Sequence, residues 1–132
     1  MLTSPVKNQV GAIFIHVTDM KRAIAFYNAL LGLDEAPTGH AGTIYDLPIA
    51  SGSPIILDAN HPERKGQSDK PLFFFEAENL QAAYEKVQSI GAEIAWPIEE
   101  HEDISFFTFR DPDHNMMMIC HDKRKWSADK RF

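Results

Sequence analysis

The chain has 132 residues, 44% of them apolar and 24% charged, which is enough length and apolar content for a core and too much for disorder. Lys and Arg number 13 against 19 Asp and Glu, and the resulting net charge of −6 repels phosphate backbones, so no nucleic-acid partner is expected. Cys120 is the one cysteine, which excludes an intrachain disulfide framework. No apolar run approaches a membrane span of ~18 residues.

In chain order, Met1 to Val10 contains Ser4, Pro5, Lys7, Asn8 and Gln9 and no apolar signal-peptide region, so a soluble, cytoplasmic protein with no membrane partner is expected. Residues 11–17 (Gly-Ala-Ile-Phe-Ile-His-Val) are short and rich in β-branched and aromatic residues, and they predict a strand. Asp19 is a good N-cap for a helix. Met20, Ala23, Ile24, Tyr27, Leu30 and Leu31 recur at helical spacing, and Gly32 supplies the left-handed residue that ends it. Strands are predicted near 41–47, 48–50 and 54–58. Residues 60–70 form a polar linker or lid around His61-Pro62-Glu63-Arg64-Lys65-Gly66.

The pattern then restarts. Residues 71–77 predict a strand, and Asn79 an N-cap. Leu80, Ala83, Tyr84, Val87 and Ile90 make an apolar helical stripe, and Gly91 stops it. Strands are predicted near 93–97, 104–109 and 116–121, with Trp96 packing at a strand end before Pro97. The run Lys123-Arg124-Lys125, with Lys130-Arg131, reads as a solvated tail. Phe14 and Phe74, Asp19 and Asn79, Met20 and Leu80, and Ala23 and Ala83 each stand 60 residues apart. The fold class expected is therefore α+β: two βαβββ modules forming an open barrel around a cavity. Module one covers about 10–60 and module two 71–122, with a tail over 123–132. The two modules make a single domain of 132 residues.

Three motifs carry a family resemblance. They are Val17-x-Asp19-Met20-x-x-Ala23-x-x-Phe26-Tyr27-x-x-Leu30-Leu31-Gly32-Leu33, Ala77-x-Asn79-Leu80-x-Ala82-Ala83-Tyr84 running to Gly91, and Phe107-x-Phe109-Arg110-Asp111-Pro112-Asp113-His114-Asn115. From about residue 10 to residue 122 the chain resembles the vicinal oxygen chelate superfamily. That group includes glyoxalase I, extradiol dioxygenases, fosfomycin-resistance thiol transferases and bleomycin-resistance proteins. In its usual Asp-Pro-Asp-Gly-Asn turn, His114 here replaces the Gly, so a positive φ or an altered turn is expected there.

The resemblance implies a metal site at four strand positions, and these fall on Ala12, Ile56, Leu72 and Met118. Such side chains suit no divalent cation that wants imidazole or carboxylate, so neither a metal nor another cofactor is expected and glyoxalase I chemistry is disfavoured. Strand alternation from Ala12 turns Phe14 and His16 to the same side. Leu72, Phe74 and Glu76 form a matching row, Met116, Met118 and Cys120 a third, and Asp58 joins if Ile56 faces in. These rows are either core filling or the lining of an apolar, sulfur-rich ligand cavity. His16 and Glu76 are the candidates for orienting a ligand or for acid/base work. Cys120 reads as an inert buried thiol. His40, His61 and His101 sit in loop-like contexts without ligand spacing.

The leading expectation is a metal-independent small-molecule-binding protein acting as a homodimer, with a neutral, planar or cationic ligand. The alternatives are a lyase, isomerase or dioxygenase-like enzyme with a relocated metal site, and a dimerisation scaffold.

Overall fold

The computed structural model describes residues 3–39, 42–60 and 69–124. Most of the expected linker, His40, His61 and the tail beyond Arg124 lie outside the described residues. The chain divides into two compact units, Met1–Pro62 and Glu63–Phe132, and each is described by itself.

The first unit contains β1 (Ile13–His16), α1 (Met20–Leu31), β2 (Ile44–Asp46) and β3 (Ile55–Asp58). Its sheet has the order β1-β3-β2, with β1 parallel and β2 antiparallel to the central β3. A parallel pair needs a long crossover, and α1 supplies it. The helix starts because the Asp19 carboxylate accepts the Arg22 backbone N–H at 3.1 Å, a donor left over in any first turn. It ends at Gly32, φ 68°, whose neighbour Leu33 donates its N–H to the Asn28 carbonyl at 2.9 Å. The face carrying Ala23, Ile24, Phe26 and Tyr27 is buried with Ile15, Val17, Tyr45, Leu47, Ile55 and Leu57 as the core of this unit. The Tyr45 hydroxyl, fully buried, accepts from the Ala36 backbone N–H at 2.9 Å and from Asn28 Nδ2 at 3.3 Å.

The predicted strand at 48–50 does not form. Pro48 has no N–H to give a ladder, Ile49 donates back to the Leu47 carbonyl at 2.8 Å, and Gly52 takes φ 90°. The segment is the connection from β2 to β3. Among the described residues, one further bridge joins Gly39 to Ile44.

The second unit contains β4 (Phe74–Glu76), α2 (Leu80–Ser89), β5 (Glu93–Glu100), β6 (Ile104–Arg110) and β7 (Met116–Asp122). Its sheet has the order β4-β7-β6-β5, with β4 parallel to β7 and the other pairs antiparallel. Asn79 repeats the cap of Asp19, its side chain accepting the Ala82 N–H at 3.0 Å. Gly91 takes φ 86° at the helix stop. The core holds Leu80, Val87, Phe107, Phe109, Met117 and Ile119, and Tyr84 meets Phe107 edge-on with centroids 5.0 Å apart.

The turn joining β6 to β7 is built by one carboxylate. Asp111 Oδ1 accepts the N–H groups of Asp113 and Asn115, each at 2.9 Å, and Oδ2 accepts from Asn115 Nδ2 at 2.9 Å. His114 sits there at φ 66°, the positive value expected where a glycine is usual. Each unit is a helix packed on an open sheet, so the chain is of the α+β class expected.

Candidate functional site

Alternation on each sheet separates a helix-facing side from an opposite side. In the first unit Ile15 (5% exposed) and Val17 (0%) are buried, while Phe14 keeps 48% of its surface. Ladder partners share a face, so one row runs Phe14, Ile56, Asp46 and the next His16, Asp58, Ile44, with the β3 residue in the middle of each. Ala12, half-buried, immediately precedes β1. Asp58 is buried, and its Oδ1 accepts the Asn60 N–H at 2.8 Å.

In the second unit the register builds two rows across the four strands. Phe74 on β4 meets Met118 on β7, which meets Thr108 on β6, which meets Trp96 on β5. The next row runs Glu76, Cys120, Phe106, Glu99. Met116 lies opposite Arg110 at one end of this face. Leu72, two residues before Phe74, is exposed, and so is Glu76.

The structure therefore groups the expected site residues by unit. His16 shares a row with Asp58, and Glu76 shares one with Cys120. These in-sheet neighbours, rather than His16 with Glu76, are the pairs whose geometry the two units define.

Trp96 departs from its expected place. It lies inside the eight-residue β5, between two register shifts, and is 59% exposed. An extra residue on the bulged edge strand breaks the simple alternation, so no period-2 count through Pro97 finds its face. Thr108, Phe106 and Glu99 also belong to this side. Their signal was the apolar pair Phe107 and Phe109, whose burial turns the even-numbered residues of β6 outward.

Around this face the charges are tied. His101 stacks on Phe106 with centroids 5.9 Å apart, and its Nε2 lies 3.2 Å from Glu99 Oε1. Arg110 donates to the His114 carbonyl at 2.9 Å and to Asp69 at 3.3 Å. Arg124 grips Asp122 through Nε at 2.9 Å and Nη2 at 2.8 Å, and that bond raises the Arg124 pKa. A hydrogen bond from the Ser105 hydroxyl, aided by Lys123, holds Glu100 below the usual carboxylate range. Burial, then Asp122 and Glu76, pushes the Cys120 thiol up, so it stays protonated and unreactive near neutral pH.

A metal does not fit the four positions the resemblance points to. Ala12, Ile56 and Leu72 present alkyl groups and Met118 a thioether, with no imidazole, carboxylate or thiolate among them. Among the described residues no three His, Cys, Asp or Glu side chains gather as a ligand set.

Residues 9–119 match the family model of the Glyoxalase/Bleomycin resistance protein/Dioxygenase superfamily. The chain belongs to that superfamily. It is similar to the uncharacterized protein YetH of Bacillus subtilis, at 24% identity over 115 residues covering 84% of this chain and 96% of YetH. Among solved structures it is similar to TnmS3, an antibiotic binding protein from Streptomyces sp. CB03234, with a TM-score of 0.69, 18% identity and coverage of 91% and 99% of the two chains. It is also similar to lactoylglutathione lyase from Agrobacterium tumefaciens, with a TM-score of 0.64, 14% identity and coverage of 88% and 95%. At these identities the likeness is one of fold, and a fold shared by a binding protein and a lyase leaves function to the site.

Proposed function

We propose that the chain is a metal-independent small-molecule-binding protein that works as a homodimer in the cytoplasm and holds its ligand on the apolar, aromatic sides of its sheets. The observation that carries this reading is the chemistry of Ala12, Ile56, Leu72 and Met118, which offers a ligand dispersion and hydrophobic contact but offers a cation nothing. Exposed Phe14, Leu72, Phe74 and Trp96 support it, because apolar surface left open on a folded domain marks a binding surface. TnmS3, a protein of this fold described as antibiotic binding, supports the same reading. The competing reading, a lyase, isomerase or dioxygenase-like enzyme, draws on His16 standing beside buried Asp58, an arrangement that could orient an imidazole for proton transfer.

Two measurements test the proposal. Elemental analysis of the purified protein after dialysis should find Zn, Ni, Mn and Fe well below one equivalent. A thermal-shift screen of metabolites and antibiotics should find a stabilising ligand, worth about 2.7 kcal/mol at a hundredfold excess over Kd. A stoichiometric metal that supports turnover overturns the proposal.

A further inference from the structure

The two units fill the space between the last turn of their helix and their sheet with different chemistry. Leu33 donates its N–H to the Asn28 carbonyl and Ala92 donates to the Val87 carbonyl, so Asn28 and Val87 hold the same place before the left-handed glycines Gly32 and Gly91. Tyr45 lies opposite Leu57 on the strand parallel to β1, and Phe107 lies opposite Ile119 on the strand parallel to β4. The second unit therefore uses Val87 and Phe107, both fully buried, where the first uses an amide and a phenol. A helix-on-sheet layer does not require the polar pair, and burying it is unfavourable unless its polar atoms are bonded.

Within the chain they are not all bonded. The Tyr45 oxygen accepts from the Ala36 N–H and from Asn28 Nδ2, and among the described residues nothing accepts the proton of the hydroxyl itself. Asn28 is 8% exposed, and its Oδ1 is buried without a hydrogen-bond partner among the described residues. Exchanging the oxygen and nitrogen of the amide gives the hydroxyl proton an acceptor, but it puts two N–H donors where Oδ1 was. In either orientation one buried end of the amide is left over.

We propose that the first unit binds an internal water molecule between Asn28 and Tyr45, on the helix-facing side of its sheet. The water accepts the Tyr45 hydroxyl proton and donates to Asn28 Oδ1. One molecule reaches both, because Oδ1 and the Nδ2 that meets the hydroxyl share a single amide carbon. A water molecule is the fitting ligand because it donates and accepts, so it satisfies the amide in either orientation. An ion in its place would be buried against neutral groups alone. The water completes a network that starts at the end of α1, crosses to β2 through the Tyr45 hydroxyl and returns to the backbone at Ala36. This site is separate from the ligand-binding reading above and does not depend on it.

The test counts waters in the full chain and locates this one. Magnetic relaxation dispersion of the water oxygen registers molecules held longer than the protein takes to tumble. The wild type should hold one more such water than the double variant Asn28→Val, Tyr45→Phe, which copies the pair used by the second unit. A crystal of the wild type should show a water within about 3.2 Å of both the Asn28 amide and the Tyr45 hydroxyl. The melting temperature reports whether the double variant is folded. If it is not, Asn28→Val alone takes its place in the comparison, and the wild-type crystal decides independently of any variant. Equal counts in the wild type and the folded variant overturn the proposal. So does a crystal in which the free end of the Asn28 amide meets a protein group, or in which no water lies between the amide and the hydroxyl.

Discussion

The first unit closes its helix against its sheet around a buried hydroxyl, and the second does so around rings. Tyr45 ties the backbone at Ala36 and the side chain of Asn28, whereas Tyr84 and Phe107 meet edge-on, ring against ring. The outward sides differ more. Among the described residues the first sheet has three strands, and beyond them only the Gly39–Ile44 bridge. The second has the full β5, and with it Trp96. At the same level of the two sheets, His16 beside Asp58 corresponds to Glu76 beside Cys120. The units therefore share what makes a layer form, the cap, the crossover helix and the parallel pair. They diverge where side chains point away from the helix.

The largest effect expected from a single change that probes this difference is at Tyr45. Tyr45→Phe keeps the ring and deletes the acceptor, leaving the part-buried Ala36 N–H and the buried Asn28 amide without that partner. The cost should be about 1–3 kcal/mol by urea unfolding. A loss below ~0.5 kcal/mol would mean that water or a rotated Asn28 replaces the hydroxyl, and the contrast between a polar and an aromatic seam would fail.

The helix caps probe what the units share. Asp19→Ala and Asn79→Ala remove acceptors of the same geometry, 3.1 and 3.0 Å from the third helical N–H. Each should cost about 1 kcal/mol, and the two costs should agree within ~0.5 kcal/mol. A large inequality would show that tertiary packing holds one helix start in place without its cap.

Local chemistry made much of this fold legible in the sequence. Both caps, both glycine stops and the 60-residue offset are signals carried within a few residues, and His114 at positive φ follows from comparing one turn with its usual form. What escaped depends on pairing between distant residues. Residues 48–50 look apolar enough for a strand, yet Pro48 and the backward bond of Ile49 make them a connection. Trp96 was hidden by the register shifts of β5, because a bulge breaks the period that assigns faces. The engagement of Asp122 by Arg124 escaped for a related reason: its carboxylate is only 8% exposed near the end of β7, where the sequence shows merely a charged run. Ile56, by contrast, takes the face of Phe14, and Asp58 accordingly joins the row of His16.

The smallest effect concerns Cys120, which stands in the row of Glu76 much as Asp58 stands in the row of His16. Burial, Asp122 and Glu76 raise its pKa in the folded chain. The unfolded thiol ionises at a lower pH than the folded one, so folding holds the proton. That contribution to stability is complete below the unfolded pKa and is lost as pH rises through the folded one. The melting temperature of the wild type should therefore fall more steeply from neutral to alkaline pH than that of Cys120→Ala. A disulfide reagent should label the native thiol slowly near neutral pH and rapidly in denaturant. Labelling of the native protein at the rate of an open thiol would put Cys120 in contact with solvent. It would also make the second sheet's outward side a reactive surface rather than an apolar one, reversing its contrast with the His16 and Asp58 side of the first.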